Sequence, residues 1–544
     1  MSFKLIKDPV YGYVEIDSEI VQSIIDTACF QRLRNIRQTS YAPLYPASSH
    51  NRFIHSIGVY HLGKKVFNVI NDSQGFPEAW LTKEPYIPKI FELACLLHDV
   101  GHAPFSHTGE QFFLADAVSP PAIYEKLREA VQDQDFSDDF SYYYNNGKVA
   151  APHEIMSCIV SLKVFKDHFH NSCERAFFSR CITGCKYRKI EKADGDSLNC
   201  LIELLNSPVI DVDKLDYIIR DAKTTGFQSV SIDYERLLKG IRLINNNGSK
   251  CLAYHKSALS VIENVIYAHD AERKWIQNHP VILYEHFLLQ HAMRSIDRYF
   301  DLSNSGSSFF SFTSLTRDGT DFAKKGKISL LADEDVLYIM KNIYSDDLID
   351  EYFFRGSRRH PLWKSEAEYR ALFDNELGKN KLDEFEIAFA EIEKYLIDNF
   401  SLPVINEKVL ERIEIEEREI TEKKSKISDK DYMNLMDGIN KIKKWINCLR
   451  EIASENDMLF DFVIIGASKF KSGFLKQDLE KILIVFPSLG SCHSIKDVST
   501  ILTSEKTRDS FFYLFYKSKD NDGENRKTPI KAIAEALARE LFVS

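Results

Sequence analysis

The chain has no run of eighteen or more apolar residues, so a membrane-spanning helix is not expected. Its first residues, MSFKLIKDPVYGYVEI, lack the apolar core of a secretory signal. No CxxC pair occurs, and the ten cysteines are scattered over 544 residues without a paired framework. That usage fits reduced thiols and a cytoplasmic setting. Cys173, Cys181 and Cys185 fall close together, but at spacings too irregular for a zinc knuckle. Positive charge is not in excess either. The net charge of −10 argues against a general nucleic-acid-binding surface, while leaving room for a local basic pocket.

With 44% hydrophobic and 12% aromatic residues, the chain can bury a substantial core over two to four domains. Residues 4–16 read as a hairpin around Asp8-Pro9 and Gly12. Helical periodicity marks 18–38, 52–70, 88–98, 152–165, 197–206 and 212–222, and two or three further helices follow in 256–300. The polar stretches 71–87 and 132–151 read as loops. The Ser/Gly/Thr-rich 303–321 reads as a boundary. This divides the chain into a core at 1–302, a flexible boundary at 303–330, a charge-rich helical region at 331–460 and a small α+β module at 461–544. Within the third, 407–431 is dense in charge with sparse apolar positions, as in a solvated helix or exposed hairpin. The module rests on the strand-like runs 461–466, 481–486 and 511–516, and on a helix at 528–542. The fold class expected is mainly α, with a helical core.

The most informative stretch is LACLLHDVGHAPFSH (93–107). Leu93, Ala94, Leu96 and Leu97 make a buried helix end, which places His98 and Asp99 on the floor of a cavity. A carboxylate there is costly to desolvate unless a cation or donors compensate it. Imidazole with carboxylate suits a divalent transition metal. His55, on the helix 52–70, and Asp213, in an acidic run on another helix, would complete a set of four. Each has a plainer alternative alone: a satisfied core histidine, or a helix cap for Asp213. Glu110, three residues after His107, could hold that imidazole's tautomer.

The ordered set QRLRNIRQ (31–38), HNRFIHSIGVYHL (50–62), LLHDVGHAPFSH (96–107), HEIMSCIV (153–160) and DVDKLDYIIRDAKTTGF (211–227) resembles the HD-domain phosphohydrolases. Within them it is similar to the dNTP triphosphohydrolase branch, which takes in the SAM-and-HD-domain and bacterial dGTPase-like proteins. The matching pieces lie within 1–240, and the catalytic unit is expected to start almost at the first residue, without a SAM-like domain before it. The resemblance implies an HD fold with His55, His98, Asp99 and Asp213 as ligands to one or two divalent ions, Mn, Fe, Zn or Mg. It implies His107 as general acid to the departing 5′-oxygen, supported by Glu110, with His102 and His153 beside the phosphates. It further implies Arg52 and Lys214 as phosphate contacts, Tyr217 against the deoxyribose, and Gln38 and Asp221 on the 3′-hydroxyl. Tyr217 as a core aromatic, and Asp221 paired with Arg220 or Lys223, are the alternatives. The family's glycine-rich segment is replaced here by Thr39-Ser40-Tyr41-Ala42-Pro43. By resemblance the substrate is a dNTP, the assembly a homo-oligomer of four or six chains, and an allosteric nucleotide, to which no residues are assigned, acts on it. An HD-type nucleotidase or phosphodiesterase, or a nucleotide-sensing regulator, are the other readings.

Overall fold

The computed structural model describes residues 2–72, 86–115, 121–148, 150–189, 195–227, 231–246, 248–301, 309–310, 312–322, 326–343, 346–426, 428–467, 477–499 and 511–519. The fold is mainly α, with small sheets and a C-terminal part that mixes strands and helices. The expected helix at 528–542 and most of the loop 71–87 lie outside the described residues. The described residues contain no helix long and apolar enough to cross a membrane, and all ten cysteines are free thiols.

The chain divides into two compact units. The first comprises 1–276, 292–344 and 471–505; the second comprises 277–291, 345–470 and 506–544. This interleaving differs from the contiguous blocks 1–302, 303–330, 331–460 and 461–544 expected from composition. Composition follows the order of the chain, whereas units are set by which apolar faces pair.

The first unit opens with the hairpin β1 (Phe3–Asp8) and β2 (Gly12–Asp17). The expected helix 18–38 is broken into short helical segments, Ser18–Ile20, Val21–Ile25, Ala28–Gln31 and Arg32–Asn35. Thr27 interrupts it, accepting a hydrogen bond from Phe30 N and so capping a new start. Then come α1 (Arg52–Asp72), α2 (Tyr86–Leu97), α3 (Glu110–Ala115), α4 (Pro121–Val131), α5 (Gln134–Asn145), α6 (Pro152–Val164), α7 (Ser172–Thr183), α8 (Gly195–Leu205), α9 (Val212–Thr225) and α10 (Tyr234–Gly240). The polar stretch 132–151 is thus largely helical and not a loop. Asp133 caps α5, and Phe136 and Phe140 bury one side of an otherwise polar sequence.

Strands β3 (Ile241–Asn246) and β4 (Ser249–His255) follow, then α11 (Leu259–Glu272) and α12 (Pro280–Asp301). Beyond the short hairpin β5 (Thr320–Phe322) and β6 (Gly326–Ile328) lies α13 (Asp333–Ile343). The two strands of 483–494 return to this unit, in a sheet described below.

The second unit contains α14 (Asp347–Phe353), β7 (His360–Pro361), α15 (Glu366–Phe400), β8 (Val404–Ile405), α16 (Glu407–Glu422), α17 (Asp429–Glu455), β9 (Phe462–Gly466) and, after the excursion of β10 (Leu483–Phe486) and β11 (Ser491–Ser494), β12 (Phe512–Tyr516). Its sheet has the antiparallel order β7-β12-β9-β8. Trp363, Phe389, Trp445, Val463 and Leu514 are among the side chains packed in its core. The charge-dense run 407–431 holds α16 and the start of α17: α16 buries Val409, Leu410 and Ile413, while Arg412 and Glu416 pair on its outer side. In the first unit β10 lies parallel to β4 and antiparallel to β11, giving the order β11-β10-β4-β3. The C-terminal strands therefore serve two separate sheets.

Candidate metal centre

Helix α2 positions the centre. Ile90, Phe91, and every residue from Leu93 to Leu97 are buried, so the helix ends deep in the unit and releases His98 and Asp99 in the turn that follows. Helix α1 supplies His55, with no exposed surface. Helix α9 supplies Asp213. Asp211 takes the capping role on α9, its carboxylate accepting from Lys214 N at 2.7 Å, so Asp213 projects from the first turn free of that duty.

The four side chains converge. His55 Nε2 lies 3.0 Å from Asp213 Oδ1, 3.3 Å from His98 Nε2 and 3.4 Å from Asp99 Oδ2. His98 Nε2 lies 3.5 Å from both Asp99 Oδ1 and Asp213 Oδ1. His55, His98 and Asp99 form a mutually close donor set, with Asp213 bordering two of its members.

The chemistry of this set fits a divalent cation. His98 Nδ1 is 2.9 Å from the Cys95 carbonyl and His55 Nδ1 is 2.7 Å from Asp216, and both partners can only accept. The Nδ1 atoms therefore carry protons, and the Nε2 lone pairs face each other and two carboxylates. Such a cluster of acceptors requires positive charge. Without an ion a proton takes that place: burial alone would lower the His55 pKa, but Asp213 and Asp216 raise it to about 9. Asp99, although buried, is held well below the usual carboxylate range by Arg52 and the neighbouring histidines.

A second cluster adjoins the first. Glu110, at the start of α3, is 2.6 Å from His107 Nδ1, 2.9 Å from His153 Nδ1 and 3.6 Å from His102 Nδ1. Burial opposes ionisation of Glu110, yet His153 and His107 keep it anionic. His153, on the first turn of α6, is raised to about 9 by the Glu110 charge against the cost of burial. His102 goes the other way, lowered by burial and by Arg52, and is neutral. It stacks on His153 at 4.3 Å. Four polar atoms here and nearby, on His102, His153 and Gln38, are buried without an aligned hydrogen bond among the described residues.

Strained backbone leads into this cluster. Phe105 and Ser106 have φ of 58° and 54°, left-handed values for residues with side chains. Asp333 of α13 accepts from Phe105 N at 2.6 Å and Arg37 N at 3.0 Å, and Ser106 Oγ is held by Arg52 Nε at 2.9 Å. Together they present His107, two-thirds exposed, beside the buried donors.

The remaining sequence-derived residues are placed as follows. Arg52 donates to Asp99 Oδ2 at 2.7 Å and its Nη2 reaches within 3.5 Å of His107 Nε2. Gln38 is buried, with no hydrogen-bond partner for its Oε1 among the described residues. Lys214 Nζ pairs with Asp211 at 2.7 Å. Tyr217 is half-buried near His269. Asp221 pairs with neither Arg220 nor Lys223: Arg220 engages Asp216 and Asp8, Lys223 bonds the Pro9 carbonyl, and His50 Nε2 lies 2.8 Å from Asp221 Oδ1. His50 and Asp216 were not singled out from the sequence, although both sit inside the quoted motifs. Asp216 stands three residues after Asp213, which is the spacing of one helical turn.

The model of the HD domain matches residues 52–136, which hold His55, His98 and Asp99. Residues 52–136 therefore carry an HD domain. It is 28% identical over 324 residues to the deoxynucleoside triphosphate triphosphohydrolase SAMHD1 of Danio rerio, covering 59% of this chain and 49% of that protein. The human protein of the same name is 24% identical over 332 residues, with 59% and 49% covered. The chain thus spans about half the length of these curated relatives. A solved structure of a hypothetical protein from Aquifex aeolicus matches 99% of this chain and all of its own at a TM-score of 0.55 and 18% identity, which speaks for the fold alone.

Proposed function

We propose that this HD-domain chain is a divalent-metal-dependent dNTP triphosphohydrolase, releasing deoxynucleoside and inorganic triphosphate. The observation that carries the reading is the adjacency of the His55–His98–Asp99–Asp213 donor set to the His107–Glu110 pair. The names of the relatives supply the substrate class.

A bound divalent ion would supply Lewis acidity for a phosphate oxygen and an attacking water. The rest falls to the protein. Glu110 holds Nδ1 of His107, which leaves Nε2, 3.5 Å from Arg52 Nη2, as the nitrogen that would carry a proton to the departing 5′-oxygen. The His153 imidazolium and the Arg52 guanidinium add positive charge for the triphosphate. Lys214, tied to Asp211, contributes at longer range. Tyr217 would pack on the deoxyribose and Gln38 and Asp221 would receive its 3′-hydroxyl, for which Gln38 Oε1, without a partner among the described residues, is a suitable acceptor. A homo-oligomer regulated by a nucleotide, and a role in lowering dNTP pools in the cytoplasm or in antiphage depletion, extend the same reading.

The test incubates purified protein with Mn²⁺ or Mg²⁺ and each dNTP, singly and mixed, and resolves products by ion-exchange chromatography. Triphosphate with deoxynucleoside is expected, with mixtures hydrolysed faster than the sum of single nucleotides. Pyrophosphate with dNMP would reject the assignment.

A further inference from the structure

Behind His55 lies a chain of buried charged groups. Asp216 Oδ2, 2.7 Å from His55 Nδ1, also accepts from Arg220 Nε at 2.9 Å, and its Oδ1 accepts from Arg220 Nη2 at 2.8 Å. The fork-to-carboxylate pairing fixes the plane of the Asp216 carboxylate. Arg220 Nη1 in turn donates to Asp8 Oδ2 at 3.0 Å, at the end of β1. All four residues are at most 1% exposed. Asp8 is itself fixed: its Oδ1 accepts from Val10 N and Tyr11 N. Helix α1 makes room through Gly58, where a Cβ would stand 1.9 Å from Asp216 Oδ1 and 2.4 Å from Arg220 Nη2.

We propose that Asp216 is a positioning residue for the metal centre, locking His55 in the Nδ1–H tautomer through a relay, Asp8–Arg220–Asp216, that ties the N-terminal hairpin to the ligand. The inference rests on the metal centre of the proposed function and not on its substrate. A carboxylate only accepts, so the hydrogen of the pair belongs to His55 and the Nε2 lone pair is turned toward the donor set. Arg220 keeps Asp216 from rotating away, and Asp8 balances the guanidinium, which would otherwise be buried with a single partner. Outer-shell carboxylates of this kind orient a ligating imidazole and raise its basicity. An ion pair kept only for packing would have no need to face the one imidazole on α1 that enters the centre.

The test uses Co²⁺ and the full chain without nucleotide. Asp216→Asn preserves shape, and its dissociation constant for Co²⁺, measured against a competing chelator, should rise about 10–100-fold, with an altered visible spectrum. Asp8→Asn, two links away, should raise it less, with the same sense of spectral change. Unchanged affinity and spectrum in Asp216→Asn, despite a lowered melting temperature, would mean a structural ion pair and would overturn the relay. Should Asp216→Asn fail to fold, Asp8→Asn decides by the same criterion. Wild-type protein that binds Co²⁺ but hydrolyses no dNTP refutes the substrate reading and leaves the relay supported by its own readout. Wild-type protein that binds no Co²⁺ overturns both.

Discussion

His107 and Glu110 show how a single contact separates two roles within a crowded site. The imidazole is far more exposed than the neighbouring ligands, and its partner is a carboxylate that contacts three histidines. Removing it should leave the buried donor set intact. His107→Ala is expected to keep its metal content by elemental analysis while hydrolysis falls about 10²–10⁴-fold, the usual weight of a general acid. Parallel loss of metal would instead make His107 a ligand. Asp333 provides a pH signature of a different kind. Burial pushes its carboxyl from 3.8 up to about 6, despite the N–H groups of Phe105 and Arg37. A folded pKa above the unfolded one means that its contribution is present in full below about pH 4 and is lost as pH rises through 6. The linked free energy is about 3 kcal/mol. The stability difference between wild type and Asp333→Asn, measured by denaturant titration, should therefore shift toward the variant by about 2 kcal/mol between pH 4 and 6.5. A difference independent of pH would contradict the assignment.

At the scale of elements, the site depends on how closely helices approach it. Gly101, in the turn after α2, lies against the backbone of α6: a Cβ there would meet Ser157 N at 2.3 Å and the Met156 carbonyl carbon at 2.4 Å. Backbone cannot rotate aside as a side chain can, so Gly101→Ala must displace α6 and with it His153. A loss of about 1–3 kcal/mol in thermal unfolding is expected, together with reduced turnover at unchanged metal content. Normal turnover would show that His153 needs no such placement. The helices that carry the site were legible because their apolar positions repeat at helical spacing and their ends coincide with motif residues. The helix α5 was not, because Tyr, Asp and Ser dominate its sequence and its buried side is made of Phe136, Phe140 and the charged Asp139. The break in 18–38 was equally hidden, since it depends on a local cap at Thr27 within an otherwise periodic stretch.

At the scale of the molecule, the second unit has its own core. Trp363 is fully buried, donates from Nε1 to the Phe512 carbonyl at 2.9 Å and packs against Tyr369. Trp363→Ala should cost this unit about 3–5 kcal/mol, seen as earlier proteolytic cleavage within 345–470 on a denaturant series. Cleavage at the wild-type midpoint would mean that the core is closed by other contacts.

The sequence by itself determined the helical class, the motif residues around the centre and the character of their chemistry, because those follow from local periodicity and from side-chain type. Only the tertiary structure decided that Asp216 faces His55, that Asp8 completes the charge balance from the far end of the chain, and that His50 meets Asp221. It also decided that strands adjacent in sequence serve two different units. The reason is physical: a charge's partner and a strand's neighbour are set by proximity in space, and residues some two hundred positions apart carry no local signal of it.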